Sequence, residues 1–145
     1  MKVREEDCAK NVAFKKYALQ SSRYNAYFAR NAIDGNPDTG SSTVQGKSPH
    51  WWKVDFEGMK VIDEIEMLIL LRPTTNPFNI VISNTTDFNE FNQCHTIQNQ
   101  YGQDFPKNVK FKCVGGTTVA QFMRVEFNDF KALGIREITV FGWDV

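Results

Sequence analysis

The chain has 145 residues, 41% of them apolar and 13% aromatic with 12 Phe, enough for one domain around one core. Its 17 basic and 17 acidic residues cancel and no block of like charge stands out, so no net field draws it to nucleic acid or an anionic membrane. No apolar run reaches membrane-spanning length, which leaves membrane contact a minor option, and the charged stretch 1–7 lacks the apolar segment of a secretion signal.

A lead-in, residues 1–9, carries Cys8 ahead of the domain expected over 10–145. Asn11-Val12-Ala13 and Gln20-Ser21-Ser22 precede one short helical segment over 27–32. Tyr24, Tyr27 and Phe28 read as a buried aromatic cluster in preference to an exposed one. The segment runs into Asn31-Ala32-Ile33-Asp34-Gly35-Asn36, where Asp and Asn cap the backbone and Gly accepts positive φ freely. These residues read either as a plain turn or as a hard-cation site, because calcium takes six to eight oxygens from carboxylates and carbonyls.

Strands follow. In Trp51-Trp52-Lys53-Val54-Asp55-Phe56 the adjacent tryptophans face opposite sides, one toward the core and the other toward a surface cleft. Residues 61–70 alternate and then become continuously apolar, as a strand entering a core does. Further strands are expected over 78–83, 109–113, 122–127 and 135–141, separated by Pro-, Asn- and Gly-rich turns. The fold class is therefore all-β, a sandwich or barrel of several short strands. Cys94 and Cys113 lie in strand contexts and are either bridged or two buried thiols, and Cys8 is left over to pair elsewhere or stay free. Asn84-Thr85-Thr86 is a glycosylation sequon, in keeping with a secretory route. His50 and His95 stand apart from any Cys or carboxylate at ligand spacing, and Gly115-Gly116-Thr117-Thr118 lacks the lysine of a phosphate loop. A binding module is expected, not an enzyme.

Taken in order, the Asn31–Asn36 turn, the Trp51-Trp52 strand and the closing Gly134-Ile135-Arg136-Glu137-Ile138-Thr139-Val140-Phe141-Gly142 resemble a fucolectin-type domain of the discoidin-like, galactose-binding-like group, in a divergent form. The likeness covers roughly residues 10–142. It implies a jelly-roll β-sandwich of about eight mostly antiparallel strands. It also implies a structural Ca2+ held by the carbonyls of Asn31 and Asn36, a side-chain oxygen of Asp34, an oxygen of Ser41, the carbonyl of Arg136 and the carboxylate of Glu137. Ser41 is the loosest of these placements, with Asp38 a nearby alternative.

The resemblance further implies a sugar site built from one His and two Arg. Val44 stands where the His belongs, and His50 is the only His nearby. Arg72 matches the first Arg, while the second falls near Pro77 or Phe78. The ligand-binding candidates are therefore Arg72, His50 and Trp51. A millimolar lectin contact is worth only about 4 kcal/mol, and a hydrogen bond from a charged donor about 1.5–3 kcal/mol, so losing two donors predicts weak or no fucose binding. A family disulfide also falls on Ser42 and Arg136, both partners being absent together. The expected function is extracellular, secreted or cell-surface recognition of a glycan or glycoprotein. The alternative is a protein–protein adhesion or receptor module that has lost sugar binding. Cys8 and the charged lead-in favour a larger multidomain parent.

Overall fold

A computed structural model describes residues 9–46, 48–70, 76–98 and 108–145. Its strands are β1 (Lys10–Asn11), β2 (Tyr17–Gln20), β3 (Ser41–Ser42), β4 (His50–Ile69), β5 (Phe78–Ser83), β6 (Phe91–Ile97), β7 (Asn108–Phe111), β8 (Thr118–Phe127) and β9 (Gly134–Asp144). All pairings are antiparallel. The expected all-β sandwich is therefore the fold. Among the described residues no helix is long and apolar enough to cross a membrane.

β4 organises the molecule. His50, Trp52, Val54 and Phe56 are buried in strict alternation, as a half-buried strand requires. Glu57 (φ 62°) and Gly58 (φ 142°) then turn the backbone, and the pairing with β8 shifts register between Asp55 and Lys60. Beyond the bend, Ile62, Ile65, Met67 and Ile69 take over the core face. Sequence patterning suggests two strands here; the structure has one, because the left-handed pair bends the chain without ending it. The first half of β4 pairs with β2 and β8, the β8 pairing resuming past the bend over Lys60 to Ile62, and β5 and β6 extend that layer. The second half pairs with β9 and β7, and β1 and β3 join β9.

Side chains from both layers fill one core, with Trp52, Phe56, Ile65, Met67, Met123 and Ile138 almost wholly enclosed. Gly142 is required where β9 meets β4: a Cβ there would lie 2.0 Å from the Val61 carbonyl oxygen. The expected short helix is a 3-10 turn, Ala29–Ile33, which buries Ala32 and Ile33. Trp52 donates its indole N–H to the Ala29 carbonyl at 2.9 Å, anchoring that turn to β4.

Cys94 and Cys113 form a disulfide between β6 and the segment after β7. With a sequence separation of 19, the bridge removes about 3 kcal/mol of unfolded-chain entropy in the loop-closure description. Cys8 lies outside the described residues.

Candidate functional site

The Asp34 turn and β9 meet over a small set of oxygens. Gly35 (φ 79°) turns the chain under Phe14, where a Cβ would sit 2.8 Å from the Phe14 ring, and its N–H donates to Glu137 Oε2 at 3.0 Å. Glu137 reaches this point because β9 is bulged: Leu68 pairs with Glu137 and Ile69 with Ile135, leaving Arg136 as the extra residue. The bulge lets a charged residue be 8% exposed beside the core residue Ile138.

Acceptors here outnumber protons. The Thr39 hydroxyl lies 2.6 Å from Asp34 Oδ2, 2.9 Å from the Asn36 carbonyl and 3.4 Å from the Asn31 carbonyl. One hydroxyl has one proton for the three; the Asn36 carbonyl also accepts from the Thr39 N–H at 3.2 Å, so the shortage falls on the other two. Glu137 Oε1 is buried with no hydrogen-bond partner. Burial is the main cause that pushes the Glu137 carboxyl up to about 7; the Gly35 N–H opposes the rise and the Asp34 carboxylate adds to it. The buried Glu137 Oε1, with the part-exposed Asn31 and Asp34 oxygens beside it, is what a bound cation would relieve, so the residues present fit one. Among the described residues no three His, Cys, Asp or Glu side chains cluster. The donors are two carboxylates with carbonyl and hydroxyl oxygens, a set that suits a hard cation such as Ca2+.

Of the ligands expected from sequence, oxygens of Asn31, Asp34 and Asn36 converge on the Thr39 hydroxyl, Glu137 meets the same turn at the Gly35 N–H, and Arg136 is the bulge residue next to Glu137. Ser41 is buried and its hydroxyl donates to the Ile135 carbonyl at 3.2 Å. The hydroxyl facing the oxygens belongs to Thr39, two residues earlier, which sequence reasoning missed. The signal was present in Asp34-Gly35-Asn36-Pro37-Asp38-Thr39, since a turn this tight returns its sixth residue to its first.

Beside the oxygens lies a cleft of about 740 Å3 lined by Tyr24, Tyr27, Asp38, Gln45, Leu70 and Arg136, among others. Tyr24 and Tyr27 are 52% and 41% exposed, with ring centroids 5.9 Å apart. The expectation that they are buried is corrected. Their backbones are spent on β3: Tyr24 N–H donates to the Ser42 carbonyl at 3.0 Å and Ser42 N–H to the Tyr27 carbonyl at 3.2 Å. Gln20 Nε2 adds bonds of 3.0 Å to the Tyr27 and Ser42 carbonyls. The loop is pinned by main chain and its rings turn outward.

The other sugar-site candidates fall elsewhere. His50 is fully buried against Phe127, and burial holds its imidazole below the ordinary value, with Asp129 opposing. Its Nε2 lies 3.0 Å from the Asp129 carbonyl, so Nε2 carries the proton and Nδ1 accepts from the Thr43 hydroxyl at 2.8 Å. Thr43 in turn accepts from Leu133 N–H at 2.8 Å. Both ring nitrogens are spent on the protein, so His50 joins two loops and presents nothing to a ligand. Trp52 is the core tryptophan. Trp51 is half-buried on the opposite face of β4, with Lys53 Nζ 5.1 Å from its ring, and does not line the cleft. Arg72 lies outside the described residues.

Comparison with known proteins places this geometry. A family model described as NedA-like, galactose-binding domain matches residues 31–125, well over half the chain and inclusive of the Asp34 turn and β4. Among solved structures, chitosan-binding module 1 of a chitosanase/glucanase from Paenibacillus sp. IK-5 is 18% identical, with a TM-score of 0.78 over 91% of this chain and 98% of that one. A fucose binding module from Streptococcus pneumoniae is 21% identical, with a TM-score of 0.74 over 97% and 99%. A fucolectin from the serum of Morone saxatilis (striped bass) is 23% identical, with a TM-score of 0.75 over 94% of this chain and 50% of that one. At these identities the likeness is one of fold. No curated protein matches the chain at a significant level. With its Asp34 turn and bent β4 inside the matched residues, the chain belongs to the NedA-like, galactose-binding domain family.

Proposed function

We propose that this domain is an extracellular, non-catalytic glycan-recognition module that binds sugar in the Tyr24–Arg136 cleft, with a structural Ca2+ holding the loops of that cleft. The observation that carries the reading is the exposed Tyr24–Tyr27 pair, fixed by main-chain bonds at the rim of a cleft of mixed polar and apolar lining. Aromatic faces cover the C–H faces of a sugar ring. Around them Arg136 donates, Asp38 accepts and Gln45 does both, the mixed set that adjacent hydroxyls need. The proteins of similar fold described above are named for binding chitosan or fucose, which supports a saccharide as the ligand class. Fucose itself is disfavoured, because Val44 replaces the expected His and His50 is interior. The Cys94–Cys113 bridge suits an oxidising compartment.

Asn31, Asp34, Asn36, Thr39 and Glu137 would hold the ion, which would supply positive charge to oxygens that now lack protons. Arg136 ties the two parts of the site together. It is the β9 bulge residue beside Glu137, and it also lines the cleft. A glycan array run with and without calcium tests the reading. Specific hits that disappear in Tyr27→Ala and Arg136→Ala, and weaken on chelation, are the expected result. An array blank in both conditions would refute glycan binding and favour a protein partner.

A further inference from the structure

A second groove lies on the β2 side of the molecule, apart from the tyrosine cleft. It has a volume of about 810 Å3 and is lined by Lys15, Lys16, Tyr17, Arg23, Phe28 and Arg30, among others. We propose that this groove is a binding site for a sulfated oligosaccharide.

The charge is local. The whole chain is neutral, yet four cationic side chains face this groove against the carboxylates of Asp34 and Glu57. Glu57 is engaged by Lys16 at 3.5 Å. Asp34 is engaged by the Asn36 N–H and the Thr39 hydroxyl. Lys15, Arg23 and Arg30 have no carboxylate partner among the described residues. Four cations against two carboxylates leave an excess of two positive charges around one concavity, which focuses a positive potential there.

The cations are also ordered. Arg23 and Arg30 hold their guanidinium carbons 4.5 and 4.2 Å from the Phe28 ring centre. Stacking on a ring leaves the N–H fork of each guanidinium free to bind an oxyanion through two parallel bonds. Lys15 is placed by a left-handed backbone (φ 55°) whose N–H donates to the Ile33 carbonyl at 2.8 Å. Tyr17, 62% exposed on β2, offers an aromatic face for the sugar ring between anionic groups. An acidic peptide adding to β2 as a strand is less suited. Gln20 is tied to the Tyr27 and Ser42 carbonyls, and the 3-10 turn packs beside β2. Recognition here must come from side chains, and a sulfate group matches the guanidinium fork.

The test is titration of the protein with a heparin-type sulfated oligosaccharide, its desulfated counterpart and a poly-glutamate peptide. Expected are binding of the sulfated sugar that weakens with added salt, at least about tenfold weaker binding of the desulfated one, and a loss of about tenfold in Arg23→Gln/Arg30→Gln. Both arginines are exposed, so the variant should keep the parent's melting temperature, which is measured alongside. Retained binding in the double variant, no binding by the parent at low salt, or equal affinity for poly-glutamate would each overturn the proposal. Neutral-sugar binding in the other cleft is judged separately on Arg136→Ala, so either site can fail without the other.

Discussion

Glu137→Gln should stabilise the calcium-free protein at alkaline pH and abolish its response to calcium. The buried carboxyl of Glu137 sits at about 7 in the fold against 4.5 for its ordinary value. A carboxyl whose native value is raised gives up stability as pH climbs. Below about 4.5 it is protonated in both states and costs nothing; between about 4.5 and 7 the unfolded chain ionises first; above about 7 the full cost, roughly 3 kcal/mol, is present. Gln keeps the volume, its oxygen can accept from Gly35, and its amide can donate toward Asp34 where Oε1 now lacks a partner. His50 and His95 are held low by burial and work in the opposite sense, so the readout is the difference between variant and parent. Urea denaturation in chelator at about pH 8 and about pH 4.5 should give a gap of up to about 3 kcal/mol at the first and almost none at the second. About 10 mM calcium should then stabilise the parent by about 1.5–3 kcal/mol and leave the variant unmoved. Equal stabilities at alkaline pH, or equal gains from calcium, would refute the reasoning.

Other outcomes follow from the same coordinates. Reducing the Cys94–Cys113 bridge, or replacing both residues with Ser, should cost about 2–4 kcal/mol by denaturant titration. Gly142→Ala must push β9 away from the Val61 carbonyl, and a loss of at least about 2 kcal/mol with faster amide exchange along β9 is expected. His50→Ala should cost about 2–4 kcal/mol, since it opens a cavity and removes the two bonds by which the imidazole joins the Thr43 hydroxyl to the Asp129 carbonyl. Because the native imidazole is held below its usual 6.5, the parent should lose stability as pH falls beneath that value. A flatter acid limb in the variant is the check. Thr39→Val should weaken the calcium shift of the melting temperature, while Ser41→Ala should leave that shift in place.

The strands were legible because their alternation is a direct record of burial. That Trp51 and Trp52 face opposite sides follows from adjacency, while which of them is interior does not, and the Cys94–Cys113 bridge was one of two open readings. What local pattern could not convey was the bend at Glu57-Gly58, where left-handed backbone lets one strand serve both layers. In the site, Asp34 and Glu137 were identifiable from chemistry and resemblance, yet the choice between Thr39 and Ser41 depends on how far a loop returns, which spacing leaves open. Tyr24 and Tyr27 look like core residues by composition. Only the main-chain bonds to Ser42 and the Gln20 amide reveal that they are held out. His50 shows the converse, a polar residue before an aromatic strand whose partners lie 79 residues ahead at Asp129 and 7 behind at Thr43.

A strand that belongs to two layers at once also governs how the molecule comes apart. Neither layer of this domain can detach while the other stays intact, because 20 consecutive residues, His50–Ile69, are the seam of both. Opening should thus be all-or-none, with the slowest-exchanging amides on both sides of the kink sharing a single protection free energy. Such indivisibility leaves a protease no half-open intermediate to cut.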